Sequence, residues 1–203
     1  MKRLTGLVVL LVLISISGCA KKELNPDRPF DTAVILYTYQ GERAGNEAVY
    51  IDLKSNNIAI ENTITTAFKG IVDSDESLRI YDGQVAYSVD MKKKQAIKVS
   101  KPGELIPEMF GEAKYSQYYT EDVSFLGKTC KVYKLPQGEF YFWQGIPLKE
   151  EMTFKGITYT KAAIDIELNT PIPSIKFKLP LDVKVLRVED LMKDFQKFKN
   201  LKR

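Results

Sequence analysis

From Ala33 onward the chain is a series of short alternating segments separated by turn signals, a pattern that leaves few folds open. Between Glu47 and Lys54, Val49, Ile51 and Leu53 share one face, while Tyr50, Asp52 and Lys54 share the other. That is the period of two of a half-buried strand. Ser55-Asn56-Asn57 signals a turn before the next strand, Ile58 to Glu61. Leu78 and Ile80 alternate with Arg79 and Tyr81. Asp82-Gly83, both tolerant of positive φ, then marks a hairpin. Val85, Tyr87 and Val89 follow on one face. Lys92-Lys93-Lys94 forms a charged turn, after which Ile97 and Val99 resume the pattern.

Pro102-Gly103 breaks the run of strands. Glu104 to Tyr119 lacks period-two alternation, carries Pro107 near its start, and spaces Met109, Phe110 and Ala113 as a short helix would. Strands return from Glu121 to Lys155. Cys130 and Val132 oppose Lys131 and Tyr133, Phe140 and Phe142 oppose Tyr141 and Trp143, and Met152 and Phe154 oppose Thr153. Ile164, Ile166 and Leu168 alternate with Asp165 and Glu167, and Pro171, Pro173 and Pro180 punctuate the chain beyond Leu168. Val188, Leu191, Phe195 and Phe198 then predict an amphipathic C-terminal helix with a lysine-rich end. Many short strands, mostly meandering, predict a mainly β, α+β chain built on one large antiparallel sheet. Such a sheet, apolar on one face, must curl or be covered, and the two helices are available to cover it. The C-terminal stripe must dock. A permanent core helix, a lid over the sheet and a membrane-surface helix are its three possible roles.

The first nineteen residues set a location. Lys2 and Arg3 precede an apolar run from Leu7 to Ile14, continued by Ile16 and closed by Ser17, Gly18 and Cys19. This is the build of a secretory signal peptide. The stretch from Leu4 to Ile16 would rise about 20 Å as a helix, short of a hydrocarbon core of about 30 Å. Ile16-Ser17-Gly18-Cys19 resembles the lipobox of bacterial lipoproteins. The resemblance implies lipidation of the Cys19 sulfur, cleavage after Gly18 and acylation of the new amine. Residues 1–18 are then a signal segment and residues 19–31, with Pro26 and Pro29, a lipidated cysteine and tether. Residues 32–203 are the domain. Lys21 and Lys22 either meet anionic head groups or solvate the tether. In enterobacterial-type sorting, an Asp at the position of Ala20 would hold a lipoprotein at the inner membrane. Its absence implies the periplasmic face of the outer membrane.

Charge is nearly balanced, with 30 Lys+Arg against 26 Asp+Glu, too even for a nucleic-acid surface. Histidine is absent, which removes the commonest general base and the commonest transition-metal ligand. With Cys19 lipidated, Cys130 has no intramolecular partner, and its alternation places it on an apolar face. Gly127-Lys128-Thr129 lacks the glycine a phosphate loop needs, since Asp122 holds that position. No Gly-x-Ser-x-Gly elbow occurs. Asp73, Asp75 and Glu76 fit no full EF-hand loop and are expected on a solvated turn. The expectation is a non-enzymatic protein with no cofactor and no metal site. The excess of 11 Tyr and 10 Phe serves either cross-strand pairing or a second, partly apolar surface that accepts an amphipathic ligand.

Three stretches carry a family resemblance. Leu78-Arg79-Ile80-Tyr81-Asp82-Gly83 with Val85-Ala86-Tyr87 and a lysine-rich turn is similar to a hairpin of LolA-like periplasmic proteins. Gly127 to Tyr133 followed by Phe142-Trp143-Gln144-Gly145-Ile146-Pro147-Leu148-Lys149 resembles their second half. Ile172-Pro173 to Phe177-Lys178-Leu179-Pro180 resembles their closing segment. The resemblance implies an incomplete antiparallel β-barrel plugged by helices, with a hydrophobic cavity for acyl chains. Val49, Ile51, Leu53, Val85, Tyr87, Phe140, Phe142, Met152 and Phe154 are the candidate lining. The expected function is a lipid-anchored envelope protein that binds a lipid or a lipoprotein acyl chain, in the setting of lipoprotein sorting. The alternative is an interaction or sensor module that holds another envelope protein on the same curved sheet.

Overall fold

A computed structural model describes residues 30–99 and 112–186. Twelve strands are formed in chain order. The first half holds β1 (Thr32–Gly41), β2 (Arg43–Asp52), β3 (Asn57–Phe68), β4 (Ile71–Tyr81), β5 (Ala86–Asp90) and β6 (Gln95–Val99). The second holds β7 (Tyr119–Phe125), β8 (Lys128–Leu135), β9 (Gly138–Trp143), β10 (Ile146–Phe154), β11 (Ile157–Leu168) and β12 (Lys184–Leu186). All join one sheet in the order β12-β6-β5-β4-β3-β2-β1-β11-β10-β9-β8-β7. The sheet curls but does not close: it is the mainly β, single large sheet expected from the alternation, and the incomplete barrel that the resemblance implies. Every described pairing is antiparallel except that of β12 with β6. The sequence halves meet at the centre of the sheet, where β1 pairs with β11.

Local chemistry explains the hairpins. At the β4–β5 connection the Asp82 carboxylate accepts the N–H groups of Gln84 (3.2 Å) and Val85 (2.8 Å), and Gly83 takes a φ of 84°. Gly45 cannot carry a side chain, because a β-carbon there would collide with the carbonyl oxygen of Thr63 on the neighbouring strand.

Apolar clusters occupy both faces. The largest joins Ala33, Ile35 and Tyr37 of β1, Val49 and Ile51 of β2, and Ile58 and Ile60 of β3 to Phe30, Cys130, Ile146 and Leu148. On the opposite face of β3, Ala59 packs with Leu78, Ile80, Val89, Ala96 and Phe177. Three consecutive residues of β3, Ile58, Ala59 and Ile60, are therefore buried, as in a strand covered on both sides. A third cluster is aromatic: Tyr133, Phe140 and Phe142, with Tyr115 stacked on Phe140 at 5.2 Å.

Two sequence expectations are corrected. The described part of the segment expected as a helix from Glu104 to Tyr119 is a 3-10 helix over Glu112–Tyr118, and Tyr119 already begins β7. It is held by Glu112, which accepts the Tyr133 hydroxyl at 2.7 Å and the Gly145 N–H at 3.0 Å. Asp73, Asp75 and Glu76 lie on no turn. They sit exposed along β4, paired with Thr66, Ile64 and Thr63. The signal segment, the tether with Gly18 and Cys19, and the C-terminal helix from Val188 lie outside the described residues.

Candidate functional site

The sheet is crossed by a strap. After β11 the chain must reach β12, which lies seven strand spacings away. That distance is about 34 Å at 4.8 Å per strand, against roughly 50 Å of reach for the fully extended connection. The connection is therefore largely extended, which Pro171, Pro173 and Pro180 favour. One short 3-10 turn, Ser174–Phe177, interrupts it and drops Phe177 into the cluster around Ala59 and Leu78.

Both ends of the strap are tied. Thr32 Oγ1 donates to the Thr170 carbonyl at 2.8 Å, and the Asn169 side chain accepts the Asp31 N–H at 2.9 Å. At the far end the Lys184 N–H donates to the Lys94 carbonyl at 2.9 Å, and Lys94 Nζ lies 2.6 Å from Asp182. Midway, Lys176 Nζ donates to both carboxylate oxygens of Glu61, at 2.9 and 3.0 Å. Tyr50 donates its hydroxyl to the same carboxylate at 3.2 Å, and the Lys176 ammonium sits 4.5 Å from the Tyr50 ring centre. Burial works to lower the Lys176 pKa. The Tyr50 and Glu61 contacts outweigh it, and the pKa rises.

Between strap and sheet lies a cleft of about 730 Å³, within the usual size range of small-molecule sites. Leu36, Ala48, Leu78, Met91 and Ile164 form its apolar floor, and Ile175 and Pro180 come from the strap. Glu61, Glu76, Lys176 and Lys178 supply its charged groups. Leu36 is 38% exposed, Ile164 56% and Ile175 66%, so large apolar side chains face open space there. Ile164 reaches this side through a register shift: Leu36 pairs with Asp165 and Tyr37 with Ala163, leaving Ile164 without an opposite residue. Apolar walls with a few charged groups suit an amphipathic ligand.

The opposite face of the same strands carries a buried charge cluster. Lys161 Nζ lies 2.7 Å from Glu47 Oε1 and 3.9 Å from Glu150 Oε1. Tyr39 donates its hydroxyl to Glu47 Oε2 at 3.1 Å, and Arg79 Nη2 is 3.8 Å from the same oxygen. The Lys161 ammonium also sits 4.4 Å from the Tyr37 ring centre. Burial pushes the Tyr37 and Tyr39 phenols well above their ordinary range. For Lys161, burial acts downward, but Glu47 and then Glu150 outweigh it and the pKa rises well above 10.5.

The candidate lining residues are spread through the fold. Val49 and Ile51 are inside the largest cluster and Leu53 packs against it. Tyr87 packs on the second cluster, and Phe140 and Phe142 build the third with Met152 beside them. Val85 is half-buried in the β4–β5 connection, and Phe154 is exposed at a hairpin tip. The cleft under the strap is lined by none of the nine. Its floor was signalled by the unbroken apolar run from Ala33 to Tyr37, which makes both faces of β1 apolar.

Compared with known families and with curated proteins, the sequence matches none. Among solved structures, the fold is similar to that of an uncharacterized conserved protein from Thermus thermophilus, with a TM-score of 0.52 at 9% identity over 78% of this chain and 91% of that one. MucB aligns with a TM-score of 0.44 at 10% identity, over 79% of this chain and 61% of its own. PNGF-II aligns at 0.48 and 12% identity, over 80% of this chain and 32% of its own. The first of these shows a shared fold.

Proposed function

We propose that the chain is a lipid-anchored envelope protein that holds the acyl chain of a lipid or lipoprotein in the cleft beneath the 169–183 strap. The observation that carries this is the cleft itself, about 730 Å³ with an apolar floor and charged groups drawn from sheet and strap. A ligand with an apolar chain and a polar end satisfies both. The lipobox-like Ile16-Ser17-Gly18-Cys19 supports the anchor, and Ala20 supports an address on the outer membrane. The LolA-like stretches of sequence, carried on an open curled sheet, support a place in lipoprotein sorting or a related lipid-handling task. Its partners are then the membrane, through the anchor, and the bound lipid.

Native mass spectrometry of the protein purified from its own membrane tests the proposal. The expected result is a co-purifying lipid mass that disappears in Leu36→Arg and Ile164→Glu, two exposed positions whose substitution leaves the core intact. Protein that carries no lipid mass, or the same mass in all three forms, refutes the cleft as the binding site.

A further inference from the structure

Two long hairpins end on the same four residues. Phe68-Lys69-Gly70-Ile71 joins β3 to β4, and Phe154-Lys155-Gly156-Ile157 joins β10 to β11. In each the central Lys and Gly take positive φ, 50° and 79° in the first, 53° and 82° in the second. This is the type I′ geometry that two-residue hairpins favour. The strands are far apart in sequence, yet the tips adjoin: a β-carbon on Gly156 would lie 3.4 Å from Phe68 Cζ. The turn between β1 and β2 links them, since the Glu42 carbonyl accepts from Ala67 N at 2.8 Å and the Glu42 N–H donates to Thr158 O at 2.9 Å.

These tips expose what a core would cover. Ile71 is 72% exposed, Val72 69% and Phe154 58%. A lysine stands over each aromatic ring: Lys69 Nζ is 5.0 Å from the Phe68 centre and Lys155 Nζ 5.2 Å from that of Phe154. The nearby acids are either engaged or set back. The Glu42 carboxylate accepts the Thr158 N–H at 2.6 Å, and Asp73 and Asp75 follow Val72 along β4.

We propose that this end of the sheet docks on an anionic bilayer surface, with Ile71, Val72 and Phe154 in the boundary between head groups and acyl chains and Lys69 and Lys155 at the phosphates. Three features favour a bilayer over a protein. The surface is a pair of two-residue hairpin turns, and a fluid bilayer takes up such tips without a complementary pocket. An apolar tip with lysines at its base matches the polarity gradient of the interface, because lysine buries its stem and keeps its ammonium in the head-group layer. Asp73 then limits depth, since a carboxylate one residue beyond Val72 is repelled by anionic head groups. An upstream anchor does not impose the contact. The chain enters the fold at Phe30, and β1 carries it to Gly41 at the tip end, about 34 Å away for ten residues.

The single tryptophan supplies the control. Trp143 ends β9 beside the Gln144-Gly145 turn, at the end of the sheet away from the tips, and stacks on Phe30 at 6.4 Å. The experiment compares the full-length wild type with Trp143→Phe/Phe154→Trp in vesicles of phosphatidylethanolamine and phosphatidylglycerol containing lipids brominated in the upper acyl chain. Quenching and a blue shift of the Phe154→Trp probe, with Trp143 of the wild type unquenched, is the expected result. Adding Lys69→Asn and Lys155→Asn keeps residues that tolerate positive φ and weakens docking by roughly 25-fold, about fivefold for each lysine. A probe that stays in water in all vesicles overturns the proposal. So does a probe shielded in native membranes but unquenched by brominated lipid, which would assign the tips to a protein partner.

Discussion

Lys161 Nζ lies 2.7 Å from Glu47 Oε1, and both side chains are nearly sealed from solvent, at 13% and 2% exposure. The pair joins β11 to β2 across the central strand β1. A buried pair of this kind contributes little net stability, but removing one partner strands the other. Lys161→Met leaves Glu47 facing Glu150 with only the more distant Arg79 to offset it. The expected loss is about 3–5 kcal/mol, read as a lower urea midpoint at unchanged slope. Glu47→Gln/Lys161→Met restores part of the loss, because no unpaired charge remains at position 47.

The same cluster makes the protein sensitive to base. The folded Lys161 pKa stands above its unfolded value of 10.5, so its contribution is full below that value and is lost as pH rises through the raised one. Tyr37 and Tyr39 act in the same direction: burial raises their folded pKa above 10.0, so the unfolded chain gives up its phenolic protons first. The urea midpoint is expected to fall steadily above about pH 10. Phenolate absorbance from these two tyrosines is expected to appear only with unfolding. A midpoint that is flat to higher pH contradicts the assignment.

Much of the sheet was legible in the residues. Alternation at Val49 and Ile51, at Leu78 and Ile80, and at Phe140 and Phe142 places strands where they occur, and Asp82-Gly83 marks a real hairpin. What alternation could not show is which of two apolar faces stays open. Ile164, Ile166 and Leu168 read as one face, but the register shift beside Leu36 sends Ile164 to the cleft. Ile97 reads as an inward residue of β6, yet Ala96 is buried and Ile97 is 38% exposed. Ala96 lies opposite Val89, and Ile97 lies opposite Ser88. Such facts depend on pairing across the sheet, which a single strand does not record. The strap was visible as three prolines and a closing segment of LolA-like character, but not as a crossing, because its path is set by where β12 pairs.

Cys130 is buried and free, among the aliphatic side chains of the largest cluster. Burial pushes its thiol pKa up, so it holds little reactive thiolate at neutral pH. A thiol reagent is expected to modify it only at the rate of unfolding. Cys130→Ala should cost about 1 kcal/mol, from the small volume lost. Rapid labelling of the native protein would show that the site opens without global unfolding.

The proposed anchor at Cys19 is tested by Cys19→Ser. Serine cannot receive the diacylglyceryl group through a thioether, so labelled palmitate should not be incorporated and the chain should stay uncleaved or be released from the membrane. Normal membrane partitioning together with full palmitate uptake by the variant excludes Cys19 as the lipidated residue.

The strap offers a sharper test of how the cleft works, because its two attachments differ in strength and in place. Phe177 is 7% exposed in the cluster beneath β4 and β5, whereas Lys176 and Glu61 form a half-exposed ion pair at the cleft wall. Phe177→Ala removes a large buried side chain and should cost about 3 kcal/mol or more. Lys176→Ala breaks a pair of the kind that contributes under about 1 kcal/mol, so the urea midpoint should hardly move. Yet Lys176 is the contact that fixes the wall holding Ile175, and elements secured by few buried contacts open first. Lys176→Ala should therefore release a fluorescent fatty-acid probe several-fold faster while leaving global stability intact. Equal release rates in wild type and Lys176→Ala would mean that the ligand leaves by the open side near Leu36 and Ile164, and that the strap is a fixed wall.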